Sequence, residues 1–195
     1  MDCTKLIANL EKRGYTAKYF DTAAEASDYL EQEIKDEAVG FGGSLTIQQM
    51  DLYNLLSKAN RVYWHWKNPA DREQFAEFTT YITSANGVAE TGELVNIDGN
   101  GNRLAASLYG AKKLYFICGI NKIAPDLTGA IDRARNVASP ANAKRLNKKT
   151  PCAVSGRCHD CASPERICRS MVIHMGPSMV STRTEVIIVG ETLGA

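Results

Sequence analysis

The sequence has no apolar run that approaches the roughly 18 residues of a membrane-spanning helix. Residues 1–14 lack the apolar stretch and the small-residue cleavage site of a signal peptide. An excess of charge of one sign is also missing, since 23 basic residues face 22 acidic ones and the net charge is +1. These absences argue against a membrane span and against the strongly basic surface of a typical nucleic-acid binder. We therefore expect a cytoplasmic protein whose partners include neither a membrane nor a nucleic acid.

One short basic run, KRLNKK at residues 144–149, stands out against this balance. A run of this length is typical of a solvated surface, and we interpret it in that way. It does not supply the extended basic face that a nucleic-acid-binding domain presents.

Strands and helices alternate along most of the chain, which predicts an α/β fold. A chain of 195 residues can form its core without cysteine cross-links, so we expect a single domain over residues 1–195. The pattern predicts an open three-layer α/β/α sheet of mostly parallel strands, with ligand sites in the loops at their carboxyl ends. The predicted strands are residues 15–20, 38–41, 61–66, 81–85, 113–118, 171–175 and 185–189. The predicted helices are residues 4–13, 22–34, 46–59, 69–78, 126–137 and 139–149.

A small antiparallel insertion interrupts this alternation near residue 100. Residues 88–90 and 93–97 are short strand candidates between glycine turns. Residues 103–108 are expected to pair back across the Asp-Gly-Asn-Gly turn at 98–101 as a β-hairpin. We expect this acidic ribbon to face the glycine turn at 42–43 across a polar cleft.

A Gly-Gly-Ser turn follows the apolar strand at 38–41, where that strand leads into a helix. Gly42 and Gly43 let backbone N–H groups approach a ligand, and Ser44 can cap the helix and offer its hydroxyl. Thr46 can add a further donor in the first helical turn. Carboxylates and phosphates suit such a turn, although a tight turn with a good helix cap explains the same residues.

The stretch ETGELVNIDGNGNR at residues 90–103 is dense in polar side chains. Turn chemistry explains much of its second half, because glycine and asparagine tolerate positive φ. Glu90 is the candidate catalytic residue, since a carboxylate at a strand end can act as a general base, a nucleophile or a hydrogen-bond acceptor. Arg103 can clamp a ligand carboxylate or pair with Glu93. The ligand-binding candidates of this region are Asn86, Glu93, Asn96, Asp98, Asn100, Asn102 and Arg103.

Four of the six cysteines lie in a loop at residues 150–169, namely Cys152, Cys158, Cys161 and Cys168. Zn²⁺ and iron–sulfur clusters prefer thiolate ligands, so these four residues are candidate metal ligands. Their spacing matches neither a zinc ribbon with two C-x2-C knuckles nor a ferredoxin run. Structural zinc, an iron–sulfur cluster, disulfides or a redox pair, and free thiols all stay open, so the cofactor is unknown.

These segments resemble the lactate-utilisation (LUD) domain family, formerly DUF162. The likeness begins with GFGGSLT at residues 40–46, ETGELV at 90–95 and NIDGNGNR at 96–103. It continues through CGINKIAPDLTGAIDRAR at 118–135 and SPANAKRL at 139–146, and it ends with VIIVGETLG at 186–194. The cysteine segment is similar to that of a stand-alone subgroup of the family.

The resemblance implies a fold like that of the NagB/RpiA/CoA-transferase group, with Gly42, Gly43 and Ser44 as the anion loop and Glu90 as the acidic group. It also implies a small anionic metabolite as ligand, a role in lactate or other organic-acid utilisation, and lactate-oxidation proteins as partners. The oligomeric state is open, with a homo-oligomer among the alternatives. Two other functions stay open: a non-catalytic accessory subunit that binds metal, and an isomerase or transferase acting on a sugar phosphate or thioester.

Overall fold

The structure is a computed structural model that describes residues 3–73 and 77–195, without the side chains of residues 72 and 73. The strands of this part are β1 (Thr16–Phe20), β2 (Ala38–Phe41), β3 (Arg61–Tyr63), β4 (Thr80–Thr83), β5 (Gly87–Ala89), β6 (Leu94–Asp98), β7 (Lys113–Gly119), β8 (Ile123–Ala124), β9 (Ser170–His174) and β10 (Arg183–Val189). The helices are α1 (Thr4–Lys12), α2 (Ala23–Glu33), α3 (Leu45–Gln49), α4 (Leu52–Leu56), α5 (Asn102–Leu108), α6 (Leu127–Arg133), α7 (Ser139–Arg145) and α8 (Pro151–Ser155). Short 3-10 turns cover Pro69–Glu73 and Ile120–Lys122, and a π-helical turn covers Ala134–Ala138.

A six-stranded sheet forms the centre of the molecule, in the order β1-β10-β7-β4-β2-β3, and every neighbouring pair is parallel. The apolar runs predicted as strands at 38–41, 113–118 and 185–189 form β2, β7 and β10. β7 and β10 pair with each other along their whole length and are buried almost throughout. Such burial is expected of parallel strands whose two faces are both covered.

Side chains of β7 alternate between two apolar layers. Leu114 and Phe116 pack in the layer that contains residues of α1 and α5. Tyr115 and Ile117 pack in the opposite layer, with residues of α2, α3 and α4. The alternation follows from the two-residue repeat of a strand. Helices therefore cover both faces of the sheet, which confirms the predicted three-layer α/β/α fold.

A second sheet has four strands, in the order β8-β5-β6-β9. The short strands predicted at 88–90 and 93–97 form β5 and β6, and the structure pairs them with each other in antiparallel fashion. The prediction that residues 103–108 pair back as a strand is wrong, because they form α5, and β9 takes the place beside β6. Gly101 has a φ of +82° and starts the helix without strain, and the segment NRLAASL is rich in the helix formers leucine and alanine.

Two predicted helices differ from those observed. The helix expected at 46–59 is two short helices, α3 and α4, because Asp51 between them adopts a left-handed φ of +50°. The helix expected at 69–78 is a 3-10 turn at Pro69–Glu73, and residues 74–76 lie outside the described residues. The helices expected at 126–137 and 139–149 are joined through the π-helical turn. In the described part of the chain, no helix has the length and apolar character needed to cross a membrane.

Candidate functional site

A cavity of about 590 Å³ lies at the carboxyl edge of the six-stranded sheet. Segments that follow five of the parallel strands contribute to its wall: Gly43 and Ser44 after β2, Trp66 after β3, Ser84 and Asn86 after β4, Lys122 after β7, and Gly194 after β10. The beginning of α5, part of α7 and residues 164–169 complete the wall. A parallel sheet brings these loops together at one edge, which is where α/β proteins bind their ligands.

Cationic side chains dominate this wall. Among the described residues, six Lys and Arg side chains line the cavity against two carboxylate side chains, those of Asp98 and Glu165; Ala195 also lines it. The basic residues are Arg103, Lys122, Arg145, Lys148, Arg166 and Arg169. Because low-dielectric walls focus the field of such groups, the cavity favours anions over cations.

Lys122 is a buried cation that has no counter-ion among the residues the structure describes. Only 4% of its surface is exposed, and within residues 3–73 and 77–195 no side chain or backbone acceptor pairs with its Nζ. Burial lowers the pKa of Lys122 to about 8, and the nearby guanidinium groups of Arg133 and Arg103 act in the same direction, against Cys118. Burial also raises the pKa of the Cys118 thiol, so this neighbour stays neutral.

Gly194 shows where the ammonium group lies. A Cβ on Gly194 would come within 3.1 Å of Lys122 Nζ and within 2.7 Å of Thr46 Oγ1. Gly194 itself lines the cavity and adopts a left-handed φ of +66°. The nitrogen of Lys122 is therefore at the cavity wall, beside a residue that has no side chain to cover it.

Arg145 places a second cation in the cavity. Its guanidinium lies over the ring of Trp66, 5.0 Å from the centroid, and donates to Asn142 Oδ1 at 2.7 Å from Nη2. Across the described residues it makes no ion pair. Burial lowers its pKa. Trp66 is fixed in turn by a stack on the buried Trp64, with ring centroids 5.4 Å apart.

Arg103 is engaged by the protein itself. Its Nη1 donates to Ser84 O at 3.2 Å and to Asn96 Oδ1 at 2.5 Å. Its Nη2 donates to Asn86 Oδ1 at 3.1 Å and to Ile97 O at 2.7 Å. Because these donors are already used, Arg103 fixes the loop after β4 against the end of β6. It is a positioning residue rather than the free carboxylate clamp considered from the sequence, and it does not pair with Glu93.

The Gly-Gly-Ser turn reaches the cavity in part. Gly43 and Ser44 line it, whereas Gly42 and Thr46 lie behind the wall. Ser44 caps α3 by accepting a hydrogen bond from the N–H of Ile47, which is the helix-cap role that the sequence also allowed. Gly43 is needed for packing, since a Cβ there would lie 2.9 Å from Trp66 Nε1.

Some polar residues at and beyond the end of β6 form a turn, and some line the cavity. Asp98, Asn100 and Asn102 line the cavity together with Asn86. Asp98 Oδ1 accepts from the backbone N–H groups of the next two residues, at 2.7 and 3.2 Å, which is the turn chemistry expected of this segment. Asn96 is buried behind the wall, where its amide oxygen holds Arg103 and the Asn86 N–H.

Glu90 and Glu93 lie elsewhere and do not line the cavity. Glu90 pairs with Lys5 of α1 at 2.5 Å, and Glu93 pairs with Arg13, just beyond the end of α1. Both carboxylates follow β5 in the second sheet, where the chain turns into β6 rather than into the strand-end loops of the main sheet. The structure therefore separates the predicted catalytic carboxylate, together with Glu93, from the candidate residues that line the cavity.

The cysteine loop does not assemble a metal shell. Nowhere in residues 3–73 and 77–195 do three His, Cys, Asp or Glu side chains group closely enough to hold a metal ion. Cys152, Cys158, Cys161 and Cys168 are free thiols. The loop is tied together by Arg166, which donates to the carbonyls of Cys161 and Cys168 at 2.8 and 2.9 Å. The four predicted ligands thus do not fit a four-thiolate shell, and the predicted metal site is not supported.

Five cationic residues of the cavity are not among the candidates from the sequence: Lys122, Arg145, Lys148, Arg166 and Arg169. Arg145 and Lys148 belong to the basic run at 144–149, which was interpreted as solvated surface. Lys122 lies three residues beyond the end of β7, and the rule that ligands meet the carboxyl ends of parallel strands points to that segment. The sequence therefore indicates the segment that contains Lys122. The burial of its side chain depends on the packing of β10 and α6, which the sequence does not indicate.

The fold and this cavity define an α/β/α protein with a cationic site at the carboxyl edge of a parallel sheet. The family model of the LUD domain matches residues 3–189, and the chain belongs to the LUD domain family. This domain is associated with lactate utilisation. No curated protein matches the chain.

Solved structures give the same assignment of the fold. A DUF162 family protein from Deinococcus radiodurans is 13% identical, has a TM-score of 0.58, and is matched over 97% of this chain and 99% of its own. The ribose 5-phosphate isomerase of Plasmodium falciparum is 15% identical with a TM-score of 0.37, over 52% of each chain. The ribose 5-phosphate isomerase A of Methanocaldococcus jannaschii is 17% identical with a TM-score of 0.36, over 54% of this chain and 55% of its own. The match to the DUF162 protein spans nearly the whole of both chains and shows the fold.

Proposed function

We propose that the protein binds a small organic anion in the cavity at the carboxyl edge of its parallel sheet, as a step in the utilisation of lactate or a related acid. One observation carries this proposal: Lys122 lines the cavity as a buried cation that has no counter-ion in the described residues. Burying an unpaired charge is costly, so a fold that retains one is stabilised by a ligand of opposite charge.

The other residues of the wall support the same proposal. Arg145 is also without a carboxylate partner in the described part of the chain, and its place over Trp66 holds the guanidinium at the wall. The hydroxyl groups of Ser44 and Ser84 and the amide of Asn142 add neutral hydrogen-bonding groups. A carboxylate or 2-hydroxy group matches this combination of cations and hydroxyls.

Thermal-shift and calorimetric titrations test the proposal, because a ligand that binds the native state raises its apparent stability by mass action. Lactate and pyruvate are expected to raise the melting temperature of the native protein. Lys122→Met should abolish the shift while keeping the side-chain volume nearly unchanged. Lys35→Met is the matched control, since Lys35 is an exposed lysine outside the cavity.

A shift that survives in Lys122→Met, or no shift with any anion in the native protein, would contradict the proposal. Circular dichroism verifies that both variants keep the native α/β fold before their melting-temperature shifts are compared. Assembly with lactate-oxidation proteins, self-association and a cytoplasmic location stay predictions beside it.

The size of the cavity favours one alternative. A volume of about 590 Å³ lies within the range of about 300–1,000 Å³ that is typical of sites for drug-sized ligands. A sugar phosphate or a thioester therefore also fits, and its anionic group would meet the same cations. A larger thermal shift with a sugar phosphate or a CoA ester than with lactate would favour this class of ligand.

A further inference from the structure

Lys122 has three properties of an amine nucleophile: it is buried, it has no counter-ion among the described residues, and it lines a cavity. We propose that Lys122 forms a covalent imine with the carbonyl carbon of a 2-oxo acid held in this cavity. The inference rests on the proposed function, because it names the class of anion and the atom to which that anion becomes attached.

The surroundings of Lys122 favour the neutral amine. The ionisable groups that act on it are Cys118 on β7, Arg133 on α6 and Arg103 on α5. Two of these are cations, and the thiol of Cys118 is kept neutral by its burial. The two guanidinium groups and the loss of water thus lower the pKa of Lys122, to about 8. A lysine desolvated next to other cations is the kind that forms Schiff bases in enzymes.

The proposed step balances without an oxidant or a reductant. The lone pair of Nζ attacks the carbonyl carbon, and the electron pair of the C=O bond moves to oxygen, giving a carbinolamine. Proton transfer to the hydroxyl lets it leave as water, and the nitrogen lone pair forms the C=N bond. One amine, one carbonyl and one proton, the proton that Nζ releases before the attack, thus give one protonated imine and one water molecule.

The charges of the wall select an acid rather than a neutral carbonyl compound. The protonated imine keeps the positive charge of the lysine, and the carboxylate of a 2-oxo acid lies one carbon away from it. Arg145, which makes no ion pair in the described residues, offers a second cation in the same cavity. A neutral aldehyde gains neither of these interactions.

Reductive trapping on the full-length protein tests the inference. The protein is incubated with pyruvate and sodium borohydride, digested, and mapped by mass spectrometry. We expect a reduced pyruvyl adduct on the peptide that contains Lys122, and none when lactate, which lacks the carbonyl group, replaces pyruvate. Lys148 is the matched internal control, because it lines the same cavity but is only partly buried.

Each outcome separates the covalent step from anion binding. If pyruvate raises the melting temperature but Lys122 carries no adduct, the covalent step is wrong and the proposed anion binding stands. Equal labelling of Lys122 and Lys148 would also overturn it, since it would indicate unselective chemistry. If neither pyruvate nor lactate is bound, the proposed function fails as well. Lys122→Met should lose the adduct, and the peptide map of the native protein decides the question even if that variant does not fold.

Discussion

Basic side chains are ion-paired at the amino edge of the parallel sheet, whereas Lys122 at the carboxyl edge is not paired with any described carboxylate. At the amino edge, Lys113 at the start of β7 pairs with Glu37 at 2.5 Å, and Arg183 at the start of β10 pairs with Glu33 and Glu185 at 2.9 and 2.5 Å. At the carboxyl edge, the lysine that follows β7, Lys122, has no carboxylate partner in the described part of the chain.

The contrast separates charges that stabilise the fold from charges to which the proposed function assigns a ligand. Paired charges at the amino edge satisfy one another, and these residues do not line the cavity. At the carboxyl edge the buried Lys122, which has no carboxylate partner in the described residues, costs folding free energy and lies beside a cavity of about 590 Å³. The strand β7 thus begins at Lys113, which is ion-paired with Glu37, and leads to Lys122, which has no carboxylate partner in the described residues.

The largest effect is expected from breaking the paired edge. Glu185 is fully buried and accepts hydrogen bonds from Tyr29 Oη at 2.9 Å and from Arg183. Glu185→Ala removes the buried carboxylate and leaves the Arg183 charge only partly compensated, so we expect a loss of about 3 kcal/mol in the free energy of unfolding. Urea denaturation measures this loss.

Glu33→Ala is the control for that change, since it removes the exposed carboxylate that pairs with the same arginine. Exposed ion pairs contribute little, so its cost should stay below about 1 kcal/mol. Equal losses for the two variants would mean that burial does not distinguish the two carboxylates.

The next largest effect is expected in the pH dependence of the stability, which Lys122 should change. Lys122 has a pKa of about 8 in the fold, against 10.5 for an ordinary lysine, so between these pH values the unfolded chain binds more protons. The stability should therefore rise with pH in this window, by at most about 3 kcal/mol for the full shift. Lys122→Met removes this rise and should be more stable than the native protein at pH 7.

Denaturation curves of the two proteins at a series of pH values isolate this contribution, because all other groups are common to both. Anion affinity should change in the opposite sense and fall as pH rises through about 8. Parallel stability profiles for the two proteins would show that Lys122 is not the titrating group.

The smallest effect is expected at Arg145. Arg145→Gln removes an exposed cation, so stability should change by less than about 0.5 kcal/mol, while anion affinity should fall about tenfold, or roughly 1.4 kcal/mol. Arg145→Lys keeps the charge and loses the planar contact with Trp66, so an intermediate affinity is expected. Calorimetry with lactate distinguishes the variants, and an unchanged affinity in Arg145→Gln would remove this residue from the site.

Much of the fold could be predicted because local patterns decide it. The apolar runs that form β2, β7 and β10 are strands buried on both faces, and the Gly-Gly-Ser turn marks the start of α3. The error at 103–108 arose because the Asp-Gly-Asn-Gly turn also suits a hairpin. The competing strand, β9, lies some 70 positions further along the chain, where no local pattern connects it to β6.

The site was less predictable because it depends on which sheet a strand joins. Glu90 ends a strand, yet β5 belongs to the second sheet, so its carboxylate meets α1 instead of the cavity. Arg145 sits in a run whose composition is that of a solvated surface, and it reaches the cavity because α7 packs there. Composition carries no information on that packing.

The π-helical turn at Ala134–Ala138 decides which side of α7 faces the cavity. A π turn holds one residue more than the α-helical turn it replaces, and each residue rotates a helix by about 100°. Deleting a single alanine there would leave α6 in place but swing Asn142 and Arg145 away from the wall. The loss of one residue would thus change the lining of the cavity while the sheet and α6 keep their places.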